Sequence, residues 1–378
     1  MRSSSAGNLV AFGEVVASRA VLRPHASSWG RYHTPATPCN AGVCRSAARF
    51  ANLPFMPAQG KPSQPPQPGG ARSRVAPPSG VLTSRDNRWL KEFRLALRGG
   101  LPTESGCVGV EGARLVEEAL LSGCRVEAVL FSESGDRHHS GLAPLIDRPE
   151  MAFPVLRTTD RLFEGIADTE HPQGVAALVQ PRPATLDDLL LAPEGVCSPL
   201  LAVLAGVQDP GNVGTILRTA AAFGATGAVT TASGQSGTAS PYSPKALRAS
   251  AGAALHLPIL AGMSLPILLA QLKVHGLRIL ASSVHEPAAG DSSLLAPWEV
   301  DWCDSVALLI GNEGAGLPEE AERSADARIR IPMAGGVESL NAAAAAAILF
   351  YEAARQRNAS RRADIQTSAA ALPPFRLT

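Results

Sequence analysis

Apolar positions along the chain follow two rhythms, and the second half of the sequence carries the clearer one. Residues 200–207 form a continuous apolar run, as strands buried on both faces do. Residues 213–223 then show helical spacing and stop at Gly224. The alternation continues, with strands expected over 228–231, 257–260, 277–282, 306–310 and 327–331. Helices are expected over 243–255, 265–275, 318–324 and 339–357. Strict strand–helix alternation predicts an α/β domain with a parallel sheet covered on both faces.

The segment 83–180 predicts a smaller α/β unit. Trp89, Leu90, Phe93 and Leu97 stand at helical spacing within 87–98. Residues 112–122 form an amphipathic helix stopped by Gly123. Extended pieces are expected at 107–110, 126–131, 154–156 and 175–179, with a helix over 159–167. Residues 181–199 read as a linker holding one short helical stretch, and 358–378 as a tail. Residues 1–82 lack steady periodicity, and 54–79 are rich in Pro, Gly, Gln and Ser, so this extension is expected to be disordered.

Composition changes this picture at three points. No apolar run reaches the ~18 residues of a membrane span; the longest candidate, 258–270, is broken by Gly262 and Pro266. The net charge of +1 hides a division: residues 1–85 carry +9 and the remainder −8. The first 50 residues are Arg- and Ser-rich with a single acid, Glu14, as organellar transit peptides are. An unstructured extension and a tail that gathers RNA by charge are the other readings. The protein is therefore expected in the cytoplasm, or in a mitochondrion or plastid if the first 50 residues are a targeting peptide. The six cysteines include no C-x-x-C pair, which points to reduced thiols and no metal.

Three polar, glycine-rich loops fall where strands of the large domain meet helices, and ligands of parallel sheets bind at such ends. The first is Gln208-Asp209-Pro210-Gly211-Asn212-Val213-Gly214, which opens a helix bearing Arg218. A helix start offers free N–H groups to an anion, and Arg218 adds a planar fork suited to phosphate. The second is Gly311-Asn312-Glu313-Gly314-Ala315-Gly316-Leu317. Its spacing is neither the dinucleotide fingerprint nor a P-loop. The third, from Ile331 to Asn341, enters an Ala-rich helix, with Ser339 the expected N-cap. Taken singly, each has an ordinary reading: caps, a turn acid, and helix propensity.

Together, in this order, the loops resemble motifs one, two and three of the SpoU/TrmH RNA ribose 2′-O-methyltransferases of the SPOUT class. The stretch Ser243-Pro244-Lys245-Ala246-Leu247-Arg248-Ala249-Ser250-Ala251-Gly252 is also similar, as is Glu170-His171-Pro172-Gln173-Gly174-Val175 in the small domain. The resemblance covers 83–357 and is most specific over 200–357. It implies a C-terminal catalytic domain with a trefoil knot, a small RNA-binding domain ahead of it, S-adenosylmethionine as cofactor, and a homodimer. Carried over, Gly311, Ile331, Met333 and Leu340 would contact the cofactor, largely through backbone, with Ser282 a neighbour. Asn212, Arg218, Glu313, Ser339 and Asn341 would form the catalytic and RNA-positioning set.

The implied reaction is an in-line displacement by a ribose 2′-hydroxyl, for which the protein supplies alignment and help with the proton. Arg218 would clamp the neighbouring phosphate. Its guanidinium is too basic for an easy general base, so a fixed cation beside a developing alkoxide is the simpler role. Asn212 would bond the ribose or hold Arg218, and Glu313 would orient either of them. The fused small domain favours ribosomal RNA over transfer RNA by analogy. The rival functions are a non-catalytic RNA-binding or ribosome-assembly factor and a nucleotide-dependent α/β enzyme. Two smaller features have bland readings: His138-His139 as a solvated loop pair, and Gly234-Gln235-Ser236-Gly237 as a turn without the hydrolase elbow.

Overall fold

The computed structural model describes residues 80–100, 102–148, 152–191, 198–232, 237–283, 294–335 and 339–370, with side chains as far as residue 362. The expected extension lies outside them except for its last three residues, and so does most of Gly234-Gln235-Ser236-Gly237. The small domain runs β1 (Val81–Leu82), α1 (Arg88–Leu97), β2 (Val108–Glu111), α2 (Ala113–Leu121), β3 (Arg125–Ser132), α3 (His139–Ile146), β4 (Val155–Thr158), α4 (Asp160–Glu164) and β5 (Val175–Gln180). Its sheet has the order β1-β4-β3-β5-β2. β4 lies parallel to β1 and β3, whereas β5 is antiparallel to β3 and β2. Val81 and Leu82 therefore belong to the sheet rather than to the extension.

Strand β5 shows why the sheet is covered on both sides. Val175, Ala177 and Val179 pack on one face with α2 and α3, while Ala176 and Leu178 pack on the other with α1 and α4. The region of His138 and His139 is helical, not a solvated loop: His139 opens α3, and its ring meets Phe131 edge-on at 5.4 Å. The sequence hides this helix because Gly141 and Pro144 interrupt its short apolar pattern.

The large domain continues with α5 (Leu186–Leu190), β6 (Leu200–Ala205), α6 (Pro210–Ala222), β7 (Gly227–Thr231), α7 (Pro244–Ala249), α8 (Ala253–His256), β8 (Ile259–Met263), α9 (Leu265–Val274), β9 (Arg278–Ser282), β10 (Leu294–Leu295), β11 (Val306–Gly311), α10 (Glu319–Ser324), β12 (Ala327–Ile329) and α11 (Ala342–Ala370). Its seven strands lie in the order β10-β12-β9-β11-β6-β7-β8, and every pairing is parallel. Leu200, Ala202 and Leu204 of β6 face α6, α7, α8 and α11, whereas Leu201, Val203 and Ala205 face α5, α9 and α10.

The single helix expected over 243–255 is two. Ala251 and Gly252 take positive φ values of 49° and 87° between α7 and α8. This bend lies against the small domain, where a side chain on Gly252 would meet Glu118 Cβ at 2.7 Å. The two domains share one apolar cluster there, and three polar contacts frame it. Arg248 donates to Asp168 at 2.7 Å, His256 Nε2 lies 3.0 Å from Glu118 Oε2, and Cys124 Sγ lies 3.4 Å from the Leu255 carbonyl.

The last helix begins three residues later than expected and continues into the segment read as a tail, as far as Ala370. Its middle section packs on α6, where Phe223 and Tyr351 meet edge-on at 5.7 Å. Arg357 reaches from α11 to the entry side of the sheet. Its guanidinium donates to the carbonyls of Trp302, Ser198, Pro199 and Asp304 at 2.7 to 3.2 Å. That fork satisfies carbonyls beside β6 and β11 together with the loop around the fully buried Trp302.

Helices α6 and α7 approach closely because Gly214 has no side chain. A Cβ there would overlap the Ala246 carbonyl and lie 2.7 Å from Ala249 Cβ. Gly214→Ala is expected to destabilise the chain by about 1–3 kcal/mol through overpacking. Urea unfolding should show a lower midpoint at unchanged slope, and an unchanged midpoint would mean the helices part without cost.

Candidate active site

The carboxyl ends of β9, β11 and β12 converge, and residues at and just after them wall one cavity of about 260 Å³. Ser282, Gly311, Ile331, Met333 and Leu340, the five expected cofactor contacts, all line it. Glu313 and Ser339 of the expected catalytic set line it too. The wall opposite the glycine loop is the start of α11, with Ala342, Ala345 and Ala346.

The loop after β11 is a closed turn held by a residue the sequence reading left out. Asn312 Oδ1 accepts the N–H groups of Gly314 and Ala315, each at 2.9 Å. The backbones of Asn312 and Gly316 exchange both hydrogen bonds, at 2.9 and 3.1 Å. Asn312 Nδ2 then donates to the Gly206 carbonyl at 3.0 Å, tying this loop to the end of β6. An asparagine inside a glycine turn was the available signal, since its amide readily bonds backbone groups nearby.

Strand β6 delivers the chain to Asp209, which caps α6 by accepting the Gly211 N–H, with Pro210 in the first turn. Lys245, at the start of α7, donates to Asp209 Oδ1 at 2.6 Å. The Lys245 ammonium, with the Gly211 N–H, holds the Asp209 carboxyl below the usual carboxylate range.

Asn212, Glu313 and Asn341 are brought together in one chain of hydrogen bonds. Asn341 Oδ1 accepts the N–H groups of Ala343 and Ala344 at 2.8 and 3.3 Å. Asn341 is therefore the side-chain cap of α11, the role expected of Ser339. Asn341 Nδ2 donates to Asn212 Oδ1 at 3.1 Å, and Asn212 Nδ2 donates to Glu313 Oε1 at 2.7 Å. The direction is not ambiguous. Backbone N–H groups at one end require an amide oxygen, and the carboxylate at the other requires an amide nitrogen. Glu313 thus orients Asn212 rather than Arg218.

Arg218 stands apart from this chain. It is exposed on α6, about one residue short of two full turns beyond Asn212, or about 9 Å along the axis. Among the described residues it makes no hydrogen bond or ion pair, so its guanidinium is free to meet an anion from solution. Asn212 does not hold Arg218.

The cavity suits the cofactor implied by the sequence. Its floor is built from backbone: a Cβ on Gly311 would lie 2.5 to 2.6 Å from Gly316 and Leu317 backbone atoms. Ile310, Leu317, Ile329 and Leu349 supply apolar wall for a flat ring, and the Glu313 and Glu322 carboxylates supply negative charge for a cation. Those are the parts S-adenosylmethionine presents.

Comparison with known proteins agrees with this arrangement. Residues 199–351 match the SpoU rRNA Methylase family, and 103–177 match an MRM3-like substrate binding domain. The chain is 33% identical over 276 residues to an uncharacterized tRNA/rRNA methyltransferase of Synechocystis sp., covering 73% of this chain and 94% of that protein. It is 30% identical to the 23S rRNA (guanosine(2553)-2′-O)-methyltransferase RlmP of Bacillus subtilis, covering 71% and 97%. The AdoMet-bound rRNA methyltransferase of Sinorhizobium meliloti superposes with a TM-score of 0.61 at 29% identity, covering 73% and 97%.

The Asp209–Lys245 pair sets a pH signature. A carboxyl whose folded pKa is depressed adds stability that is full above its unfolded pKa of about 3.9 and fades as pH falls through the folded value. Asp209→Asn keeps a capping side chain and removes the charge. The stability gap between the parent and this variant, read by urea unfolding, should be widest near neutral pH and close toward pH 3. A gap independent of pH would show that the ion pair contributes nothing.

Proposed function

The chain belongs to the SpoU rRNA methylase family, and from that premise we propose that it transfers a methyl group from S-adenosylmethionine to a ribose 2′-hydroxyl of ribosomal RNA. The observation that carries the reading is the shared wall: the five expected cofactor residues and Glu313 line one cavity, and the amide chain through Asn212 and Asn341 ends there. When bound, S-adenosylmethionine supplies an activated methyl group on a positively charged sulfur.

The chain's own residues do the rest. The glycine loop and the α11 start hold the cofactor against backbone and exclude water from its apolar part. Asn212 is held in one orientation by Glu313 and Asn341, which suits it to align a polar group of the ribose. Arg218, unpaired and exposed, meets the phosphate beside the target sugar, and its fixed charge lowers the cost of the hydroxyl giving up its proton. RNA is the substrate because the acceptor atom is the 2′-hydroxyl itself.

The homodimer and the knot belong to the same proposal. α11 leaves Ile348 and Tyr351 41% and 56% exposed, which supports a second copy covering this helix. The crowding of the loops after β9, β11 and β12 around one cavity supports the knot. We place the protein in the cytoplasm, with a mitochondrion or plastid the alternative if residues 1–50 act as a transit peptide.

Methyl transfer from labelled cofactor to unmodified ribosomal RNA, followed by mapping of the modified nucleotide, tests the function. The label should sit on a ribose oxygen, and Arg218→Ala should lower the rate at least about 100-fold while cofactor affinity holds. Label on a base, or no transfer to any ribosomal RNA, would overturn the reading. Gly311→Ala should abolish cofactor binding in calorimetry, because its side chain would intrude on the Gly316–Leu317 backbone. Retained binding would move the cofactor elsewhere.

A further inference from the structure

The small domain carries a concentration of positive charge that methyl transfer does not use. Arg85, Arg94 and Arg98 line a cleft of about 370 Å³, together with Leu162 and Gly165. Arg85 precedes α1, Arg94 lies in its last turn, and Arg98 caps its end, so two local segments bring three arginines to line one hollow. No acid lines the cleft. The acids nearest in sequence are engaged elsewhere: Glu92 pairs with Arg88 at 3.0 Å and Asp86 with Lys91 at 3.1 Å.

An ordinary explanation covers only part of this. A helix C-terminus attracts cations, and Arg94 and Arg98 sit at one. Arg98 does use a single N–H, donating to the Gly165 carbonyl at the end of α4 at 3.4 Å. Arg85 is on no helix, and among the described residues neither its side chain nor that of Arg94 makes a hydrogen bond or ion pair. A guanidinium has five N–H donors, so three of them leave most of their donors unspent in a concave space. Three like charges facing one another repel, and an anion is what relieves that repulsion.

We propose that this cleft is a phosphate site that grips the RNA backbone away from the methylated ribose. The inference rests on the RNA methyltransferase reading and adds a second point of attachment to it. Planar, forked donors suit the oxygens of a phosphodiester, and Leu162 offers apolar surface beside them for a sugar face. The three arginines lie before residue 103, ahead of the segment that matches the substrate-binding family. They also answer a charge problem: the chain beyond residue 85 carries −8, and a polyanion needs local cations to hold it.

The test compares the full chain with Arg85→Ala/Arg94→Ala/Arg98→Ala, using a fluorescent stem-loop RNA titrated at several salt concentrations. Each lost phosphate contact removes about 0.7–0.9 from the slope of log affinity against log salt, so the triple variant should lose about 2 in slope and at least about 10-fold in affinity. Cofactor binding by calorimetry should not change. Arg85→Glu alone, at a side chain with no partner to disturb, should weaken RNA binding several-fold even if the triple variant folds poorly. Unchanged affinity and slope in both variants would overturn the proposal. So would loss of inorganic phosphate binding with RNA binding intact, which would make the occupant a free anion. If the parent chain methylates no RNA yet its RNA binding still depends on these arginines, the methyl-transfer reading fails and the cleft stands.

Discussion

The cofactor cavity depends on one amide side chain that bonds in two directions at once. A glycine-rich loop gains close approach to a ligand by giving up side chains, and it is left with bare N–H groups and little to hold its shape. Asn312 repairs both losses. Its oxygen takes two of those N–H groups, and its nitrogen anchors the loop to the end of β6. The cavity floor is thus rigid without any bulk pointing inward, which is what a site that reads its ligand through backbone requires.

A second constraint acts on the other side of the same loop. The amides of Asn212 and Asn341 join the N-terminus of α11 to the Glu313 carboxylate with every dipole in one direction. The positive end of a helix and a negative side chain stand at opposite ends of that line, so each bond polarises the next. Two helices and a turn that are far apart in sequence are therefore tied together through side chains. Arg218 is excluded from that chain of bonds. A cation locked into it would be neutralised by Glu313, and a cation outside it stays available to a phosphate.

The parallel sheet was legible because strands buried on both faces must be continuous apolar runs, and 200–205 and 306–310 are. The residues that line the cavity were named only through the family resemblance, because each glycine loop taken alone has an ordinary reading as a turn or a cap. Less could be seen where tertiary contact overrides local preference. The break at Ala251 and Gly252 lies where the chain packs against Glu118 of the small domain, a contact the helical pattern of 243–255 does not register. The capping role of Asn341 was assigned to Ser339, because a serine ahead of an Ala-rich run looks like a cap whatever its neighbour does. The pairing of Glu313 with Asn212 spans 101 residues, and no spacing rule reaches that far.

Arg357 bears on the order in which the molecule assembles. The carbonyls it binds flank strands β6 and β11, which leave the ribosome long before it does. Until residue 357 emerges, those carbonyls face solvent and the loop around Trp302 has no lid. All five strands of the small domain lie before residue 181, whereas the carbonyls beside β6 and β11 are bound by a side chain of the final helix. The cofactor cavity has the start of that same helix as one wall, so its lining is complete only once the last described element of the chain has been made.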